Sequence, residues 1–198
     1  MKTPYFETIT ALTGLKEQKR MGWLKRGVKN VESVADHSWR AGLMAYILAP
    51  KGYDREKMLK MGLIHDTTEI FDNDYTPTDG ITKEEKEKRE RIAVEKFFKT
   101  IPKKEQKEFR ALWEEFEHRK TKEAEFVKQV ENLEMLFQAL EYENEGNFKT
   151  SLYEFITYEM KNRKTKWHPT LKPYFEEITR QWPKKAKKNH RDDKKYYY

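Results

Sequence analysis

Apolar residues recur every three or four positions along most of the chain, which is the spacing of amphipathic helices. This periodicity predicts a first helix over about residues 4–18, then a loop. It predicts a second helix from Glu32 or Ser33 to Ala49, where a proline and a glycine end it. Because strand-like alternation is scarce, the pattern favours an all-α bundle over an α/β fold.

The helical pattern continues through the rest of the chain. Asp54 is the expected N-cap of a helix over about residues 55–71, and Thr82 is the expected N-cap of a long charged helix. The segment DNDYTPTDGIT between them has the composition of a loop. Further helices are expected over about residues 103–119, in EAEFVKQVENLEMLFQALEYE, and over about residues 150–162 and 171–181.

The residue types present narrow the chemistry that this chain can perform. Cysteine is absent from its 198 residues, so any metal must be held by His, Asp or Glu. The N-terminus lacks the apolar core of a signal peptide, and no stretch approaches the roughly 20 apolar residues that span a bilayer. These features predict a cytoplasmic protein without a membrane partner.

The charge of the chain is unevenly distributed. Forty-one Lys and Arg residues against 34 Asp and Glu give a net charge of +7. Much of this excess lies in residues 184–198, which we expect to form a basic, flexible tail after one domain over residues 1–183. Because the excess sits in a tail rather than on a helical face, the pattern does not favour a nucleic-acid partner.

The sequence HDTTE brings three metal-compatible groups together, because His65, Asp66 and Glu69 occupy neighbouring positions of one helical turn. His37 lies on the apolar face of the preceding helix, where an imidazole needs a polar partner. His37 alone would also fit a core histidine, and HDTTE alone a solvated helix end. Two helices carrying such groups favour a divalent metal, with Co, Mn, Ni, Fe or Zn suited better than Mg.

Three successive blocks of the chain, VADHSWRAGLMA, GLIHDTTEIFDNDYTP and KQVENLEMLFQALEYE, resemble motifs of a known family. They are similar to those of the HD-domain superfamily of metal-dependent phosphohydrolases, and specifically of its 5′-deoxynucleotidase branch. The resemblance runs from about Arg20 to Tyr142. It implies an HD-domain helical bundle, a homodimer, one bound divalent metal, and hydrolysis of deoxyribonucleoside 5′-monophosphates to deoxynucleoside and phosphate.

The resemblance also implies a set of metal ligands, namely His37, His65, Asp66 and Glu131. The family usually has Asp at the position of Glu131, and Glu is one methylene longer. Helical periodicity places Glu134 closer to the apolar face than Glu131. Glu134 is therefore the rival fourth ligand.

Other positions match substrate-handling residues of the family. Glu69 matches its catalytic carboxylate, which would promote attack by water and protonate the leaving 5′-oxygen. Asp74 matches a position on the deoxyribose and leaving-group side, although it also suits a turn. Arg20 and Trp23 match positions near the phosphate and the base. Rivals of Arg20 for the phosphate are Lys19, Lys25 and Arg26.

Two alternatives to this hypothesis remain open at the level of sequence. HD domains also resemble phosphodiesterases, triphosphohydrolases and dinuclear oxygenases, so the metal site could serve another nucleotide or phosphoester. A basic helical module that binds nucleic acid, with a degenerate HD cluster, is the non-enzymatic alternative. The remaining histidines, His118, His168 and His190, lack a partner pattern and are expected at the surface.

Overall fold

The computed structural model describes residues 3–72, 80, 82–163 and 166–183. Within these ranges the regular elements are helices, and the strand-like pairing is an isolated antiparallel β-bridge between Lys19 and Ser33. The expected all-α class is thus confirmed. The described α-helices are α1 (Phe6–Ala11), α2 (Thr13–Glu17), α3 (Met21–Lys25), α4 (Val34–Ile47), α5 (Arg55–Ile64), α6 (Lys83–Thr100), α7 (Lys103–Glu117), α8 (Lys122–Glu145), α9 (Tyr153–Tyr158) and α10 (Lys172–Gln181).

Side-chain caps fix where three of these helices begin. Ser33 forms a capping box with Asp36 at the start of α4, and the Asp54 side chain accepts the Lys57 amide at the start of α5. Thr82 caps α6. Each side chain satisfies an amide that has no partner within its helix, so the predicted start positions are confirmed.

Some predicted boundaries are wrong. The first predicted helix is divided at Leu12 into α1 and α2, and part of the predicted loop forms α3. The helix predicted over residues 55–71 ends at Ile64 and is followed by a 3-10 helix, Thr67–Phe71. There the Thr67 hydroxyl donates to the carbonyl oxygen of Ile64 at 2.6 Å, so a side chain takes an acceptor at the end of α5.

Helix α8 lies at the centre of the bundle, where α4, α5, α7, α9 and α10 all pack against it. Its buried positions cover much of its circumference, which is why its hydrophobic pattern is broader than that of a surface helix. The larger apolar side chains buried along α8 are Phe126, Val127, Val130, Leu133, Leu136 and Leu140. No helix in the described ranges has the length and apolarity needed to cross a membrane.

Helices α4 and α5 meet at two glycines. A Cβ atom added to Gly62 would lie 2.5 Å from the Cα atom of Gly42, which is closer than real contacts allow. The two backbones therefore touch, and no other residue type fits at Gly62 without a shift. This contact sets the separation of the helices that carry His37 and His65.

A smaller apolar cluster supports the 3-10 helix. Val94, Phe97, Phe98 and Ile101 form its buried part, and Ile70, Phe71 and Trp113 pack against it. The indole of Trp113 also donates to the carbonyl oxygen of His65 at 3.2 Å. These contacts hold the HDTTE segment against α6 and α7.

Candidate metal centre

His37, His65 and Glu131 come together from α4, the end of α5 and α8. Their candidate ligand atoms all lie within 4.8 Å of one another. The side chains of the two histidines are nearly inaccessible, at 0% and 3% exposure for His37 and His65. Three of the four predicted metal ligands thus form one compact group.

Both imidazoles are oriented by bonds to their Nδ1 atoms. His37 Nδ1 bonds the carboxylate of Glu134, and His65 Nδ1 lies 2.8 Å from the carbonyl oxygen of Gly62. The Nε2 atoms of both rings are buried and make no hydrogen bond of regular geometry in the described ranges, although both lie within 4 Å of the Asp66 carboxylate. Buried polar atoms normally have a partner, and a ring that is held through one nitrogen, with the other close to a carboxylate, suits a metal ligand. The residues therefore fit a divalent metal.

Asp66 completes the predicted set. Its Oδ2 atom lies 3.1 Å from Nε2 of His65 and 3.9 Å from Nε2 of His37. The guanidinium of Arg20 lies 3.5 Å from the same oxygen. Burial alone would raise the pKa of Asp66, but these positive neighbours, His65 first, outweigh it and hold that pKa well below its usual range. The Asp66 carboxylate is therefore anionic at neutral pH.

Glu131 reaches the histidines in spite of its extra methylene. The ammonium of Lys128, one turn earlier on α8, lies 2.7 Å from its Oε2 atom. Burial would raise the pKa of Glu131, but Lys128 and then His65 overcome that effect and lower it to about 2. The carboxylate therefore stays charged and lies beside both imidazoles.

Glu134, the rival ligand, lies on the other side of His37. Its fully buried carboxylate bonds His37 Nδ1 and accepts the Nε–H of Arg40 at 2.6 Å. Arg40 in turn donates to Gln138 at 2.7 Å. Burial opposes ionisation of Glu134, but His37 and Arg40 lower its pKa. Glu134 thus contacts the Nδ1 side of His37 and groups there with Glu32, apart from the group of His37, His65 and Glu131.

Replacement of Glu134 by glutamine is expected to weaken metal binding without removing it. The variant loses the negative charge that fixes the His37 tautomer, and loss of such a partner typically costs about 10–100-fold in metal affinity. Titration of metal-stripped protein with Mn²⁺ measures the change. Glu141→Gln removes the exposed carboxylate that pairs with Arg40 and serves as the control. An unchanged Mn²⁺ affinity in Glu134→Gln would contradict the orienting role.

Glu69 lies in the 3-10 helix that follows the His65–Asp66 pair. Its Oε2 atom is buried, and the apolar cluster under Ile70 and Phe71 supports this turn. Glu69 thus follows the predicted ligands His65 and Asp66 on the same short segment. Asp74, the other predicted catalytic residue, lies outside the described residues.

The two predicted substrate-binding residues of the first loop have different environments. Arg20 is partly exposed and contacts Asp66, as a phosphate-binding residue beside the metal would. Trp23 is only 2% exposed, packs against Tyr142 and Phe155, and donates to Glu32 at 2.8 Å. Because its ring is covered, the burial of Trp23 argues against the expected stacking on a base and indicates a role in the core.

The three rivals of Arg20 lie in other surroundings. Arg26 pairs with Glu154 and lies over the ring of Phe155, 4.7 Å from its centroid. Lys19 and Lys25 are exposed. Arg20 is therefore the best placed of the four predicted cations.

Sequence reasoning missed Lys128 and Arg40. Each lies three residues from a predicted ligand on the same helix, Lys128 before Glu131 and Arg40 after His37. That spacing brings side chains together on a helix, so a search for charges one turn from each ligand would have found both.

The other histidines divide into three cases. His118 is exposed, as predicted, and its Nδ1 contacts the carbonyl oxygen of Glu114 at 2.8 Å. For His168 the surface prediction is wrong, because its half-buried ring packs edge-on against Tyr53 and Phe126. His190 lies outside the described residues.

Comparisons with known proteins agree with this arrangement. Residues 12–172 match the family model of the HD domain. The chain is similar to the 5′-deoxynucleotidase HDDC2 of Xenopus laevis, with 40% identity over 129 residues that cover 65% of this chain and 64% of that protein. It is also similar to the mouse 5′-deoxynucleotidase HDDC2, with 38% identity over 141 residues and 71% of each chain covered. The matched segment thus spans just under two thirds of the Xenopus relative.

A solved structure shares the architecture. The PH0347 protein of Pyrococcus horikoshii superposes with a TM-score of 0.73 at 30% sequence identity, covering 88% of this chain and 98% of that one. The family model matches residues 12–172, which is most of the chain, and the helical order agrees with it. This chain belongs to the HD-domain family.

Proposed function

We propose that this protein is a metal-dependent 5′-deoxynucleotidase, which hydrolyses deoxyribonucleoside 5′-monophosphates to deoxynucleoside and phosphate. The single observation that carries the proposal is the buried group of His37, His65 and Glu131, whose ligand atoms lie within 4.8 Å of one another. The names of the relatives from Xenopus laevis and mouse support this substrate class.

His37, His65, Asp66 and Glu131 would hold one divalent ion, which when bound would draw electrons from the phosphate and make a water molecule more acidic. Their two nitrogen and two carboxylate donors suit Co, Mn, Ni, Fe or Zn better than Mg. Two carboxylates leave the centre close to neutral once a dication is bound. The dianionic phosphate of the substrate therefore needs further positive charge from the chain.

Arg20 supplies part of that charge. Its guanidinium lies beside Asp66 and remains protonated at all physiological pH values. A planar guanidinium can donate two parallel hydrogen bonds to phosphate oxygens. In the proposed reaction Arg20 orients the phosphate and offsets charge that develops on its oxygens.

Glu69 handles protons in the proposed reaction. As a carboxylate it accepts a proton from the attacking water, and as a carboxylic acid it donates a proton to the leaving 5′-oxygen. The 3-10 helix places Glu69 on the same segment as His65 and Asp66. We also propose that Asp74 acts on the deoxyribose side.

The proposal is tested by phosphate release from dAMP, dGMP, dCMP, dTMP and their ribonucleotide counterparts. Metal-stripped protein would be assayed after addition of Co²⁺, Mn²⁺, Ni²⁺, Zn²⁺ or Mg²⁺, with His65→Ala as the inactive control. We expect release from the deoxynucleotides that depends on added metal and disappears in His65→Ala. Absence of release with every metal would refute the proposal, and equal release from ribonucleotides would refute the selectivity for deoxyribose.

The homodimer and the cytoplasmic location stay predictions. An exposed apolar stripe on α4, formed by Trp39, Leu43 and Ile47, is a face at which a contact between two copies would be sought first. A nucleic-acid partner stays unfavoured on the sequence pattern alone, and the basic segment 184–198 lies outside the described residues.

A further inference from the structure

A lysine that no part of the proposed reaction uses lies against the ligand cluster. Lys128 is on α8, one turn before Glu131, and its Nζ atom lies 2.7 Å from Glu131 Oε2. The same ammonium lies 5.5 Å from the centroid of the Phe116 ring. The Lys128 side chain is 29% exposed, so it is partly accessible to solvent.

The charges that face Lys128 come from three elements. They are the carboxylates of Glu131 on α8, Asp66 after α5, and Glu117 at the end of α7. The Lys128 ammonium therefore faces three carboxylates and is in direct contact with that of Glu131.

Lys128 and Arg20 lie beside different ligands of the same centre. Arg20 contacts the carboxylate of Asp66 at 3.5 Å, whereas Lys128 contacts that of Glu131. Each cation thus pairs with one of the two anionic ligands.

A divalent ion bound to Glu131 would carry charge of the same sign as the Lys128 ammonium. The ammonium would then compete with the ion for the carboxylate, and its attraction to Glu131 would fall. Lysine has a flexible stem with a compact charged end, so it can turn towards a nearby anion. The anion that reaches this position in the proposed reaction is the substrate phosphate.

We propose that Lys128 binds the phosphate of the substrate. It would do so next to Glu131, whereas Arg20 would bind the phosphate next to Asp66. The inference rests on the proposed function for the identity of the substrate. This role differs from a purely structural one in its effect on metal binding. A lysine that competes with the ion weakens metal affinity while it strengthens phosphate affinity. A lysine that merely held Glu131 in place would strengthen both.

The experiment compares Lys128→Met and Lys128→Arg with the full-length wild-type protein. Lys57→Met is the matched control, because Lys57 is also 29% exposed and its Nζ lies 2.8 Å from a glutamate, Glu115, on another element. For each protein we would measure Mn²⁺ affinity, the affinity of Mn²⁺-loaded protein for inorganic phosphate by calorimetry, and KM and kcat for the preferred deoxynucleotide.

We expect Lys128→Met to weaken phosphate binding and raise KM by roughly 10–100-fold, which is the usual cost of a lost charged hydrogen bond. Its Mn²⁺ affinity should equal or exceed that of the wild type. Lys128→Arg, which keeps the charge, should stay within a few-fold of wild type, and Lys57→Met should bind phosphate normally.

Two results would overturn the inference: unchanged phosphate affinity in Lys128→Met, or loss of Mn²⁺ affinity in that variant in parallel with phosphate affinity. Failure of the proposed function is a separate outcome, since it would appear as a wild-type protein that hydrolyses no deoxynucleotide. Even then the calorimetric comparison with inorganic phosphate decides the role of Lys128.

Discussion

Replacing Glu69 by glutamine is expected to lower kcat by about 10²–10⁴-fold, the range that a general acid–base group contributes, while Mn²⁺ affinity stays close to that of the wild type. Glutamine has nearly the same shape, so the 3-10 helix that carries it should keep its packing against the cluster under Ile70 and Phe71. The amide cannot take up or release a proton. Single-turnover rates of phosphate release, alongside Mn²⁺ titration, would measure the two properties separately.

A matched control for Glu69→Gln is available on α6. Glu95→Gln makes the same chemical change at an exposed side chain that pairs with Arg110, and we expect it to leave kcat unchanged. A Glu69→Gln variant that retained wild-type kcat would exclude proton transfer by this residue. One that lost Mn²⁺ affinity as well would assign Glu69 to the metal instead.

Replacing Gly62 by alanine should destabilise the fold and weaken the metal centre together. Alanine favours an isolated helix over glycine by about 1 kcal/mol, but overpacking typically costs about 1–3 kcal/mol. Here the atom that the new Cβ meets is the Cα of Gly42 at 2.5 Å, and backbone cannot turn aside as a side chain can. We expect overpacking to prevail, with a net loss of about 2 kcal/mol in the free energy of unfolding.

For a chain of this size, that loss corresponds to a fall in Tm of about 4–8 °C, which thermal unfolding followed by circular dichroism would detect. Separation of α4 from α5 also moves His37 away from His65, so Mn²⁺ affinity should fall. Gly22→Ala is the control, because a Cβ at Gly22 in α3 meets no atom within 4 Å. Equal Tm values for Gly62→Ala and the wild type would show that the helices can move apart without cost.

The parts of this fold that could be predicted are those with local causes. Ser33, Asp54 and Thr82 are cap residues whose side chains satisfy amides three positions later, so sequence alone locates the starts of α4, α5 and α6. The clustering of His37 with His65 followed from polar groups on apolar helical faces and from the family resemblance.

The parts that could not be predicted depend on contacts between distant segments. Periodicity correctly indicated that Glu134 faces inward, but it cannot tell which nitrogen of His37 a carboxylate meets. The burial of Trp23 arises from Tyr142 and Phe155, which lie more than 100 residues later. No local pattern indicates that packing, so sequence alone predicts a substrate-binding role for an indole that packs in the core.

Helix α8 fixes the relative positions of several side chains at the candidate centre. One of its faces carries, at steps of three or four residues, Lys128, Glu131, Glu134, Gln138 and Glu141. A single residue inserted between Lys122 and Lys128 would rotate this whole series by about 100° relative to the start of the helix. Every contact of the series would then be lost at once. Changes of length beyond Gly146, where α8 ends, leave the register intact. Relatives with the same chemistry should therefore differ in length outside α8 and seldom within it.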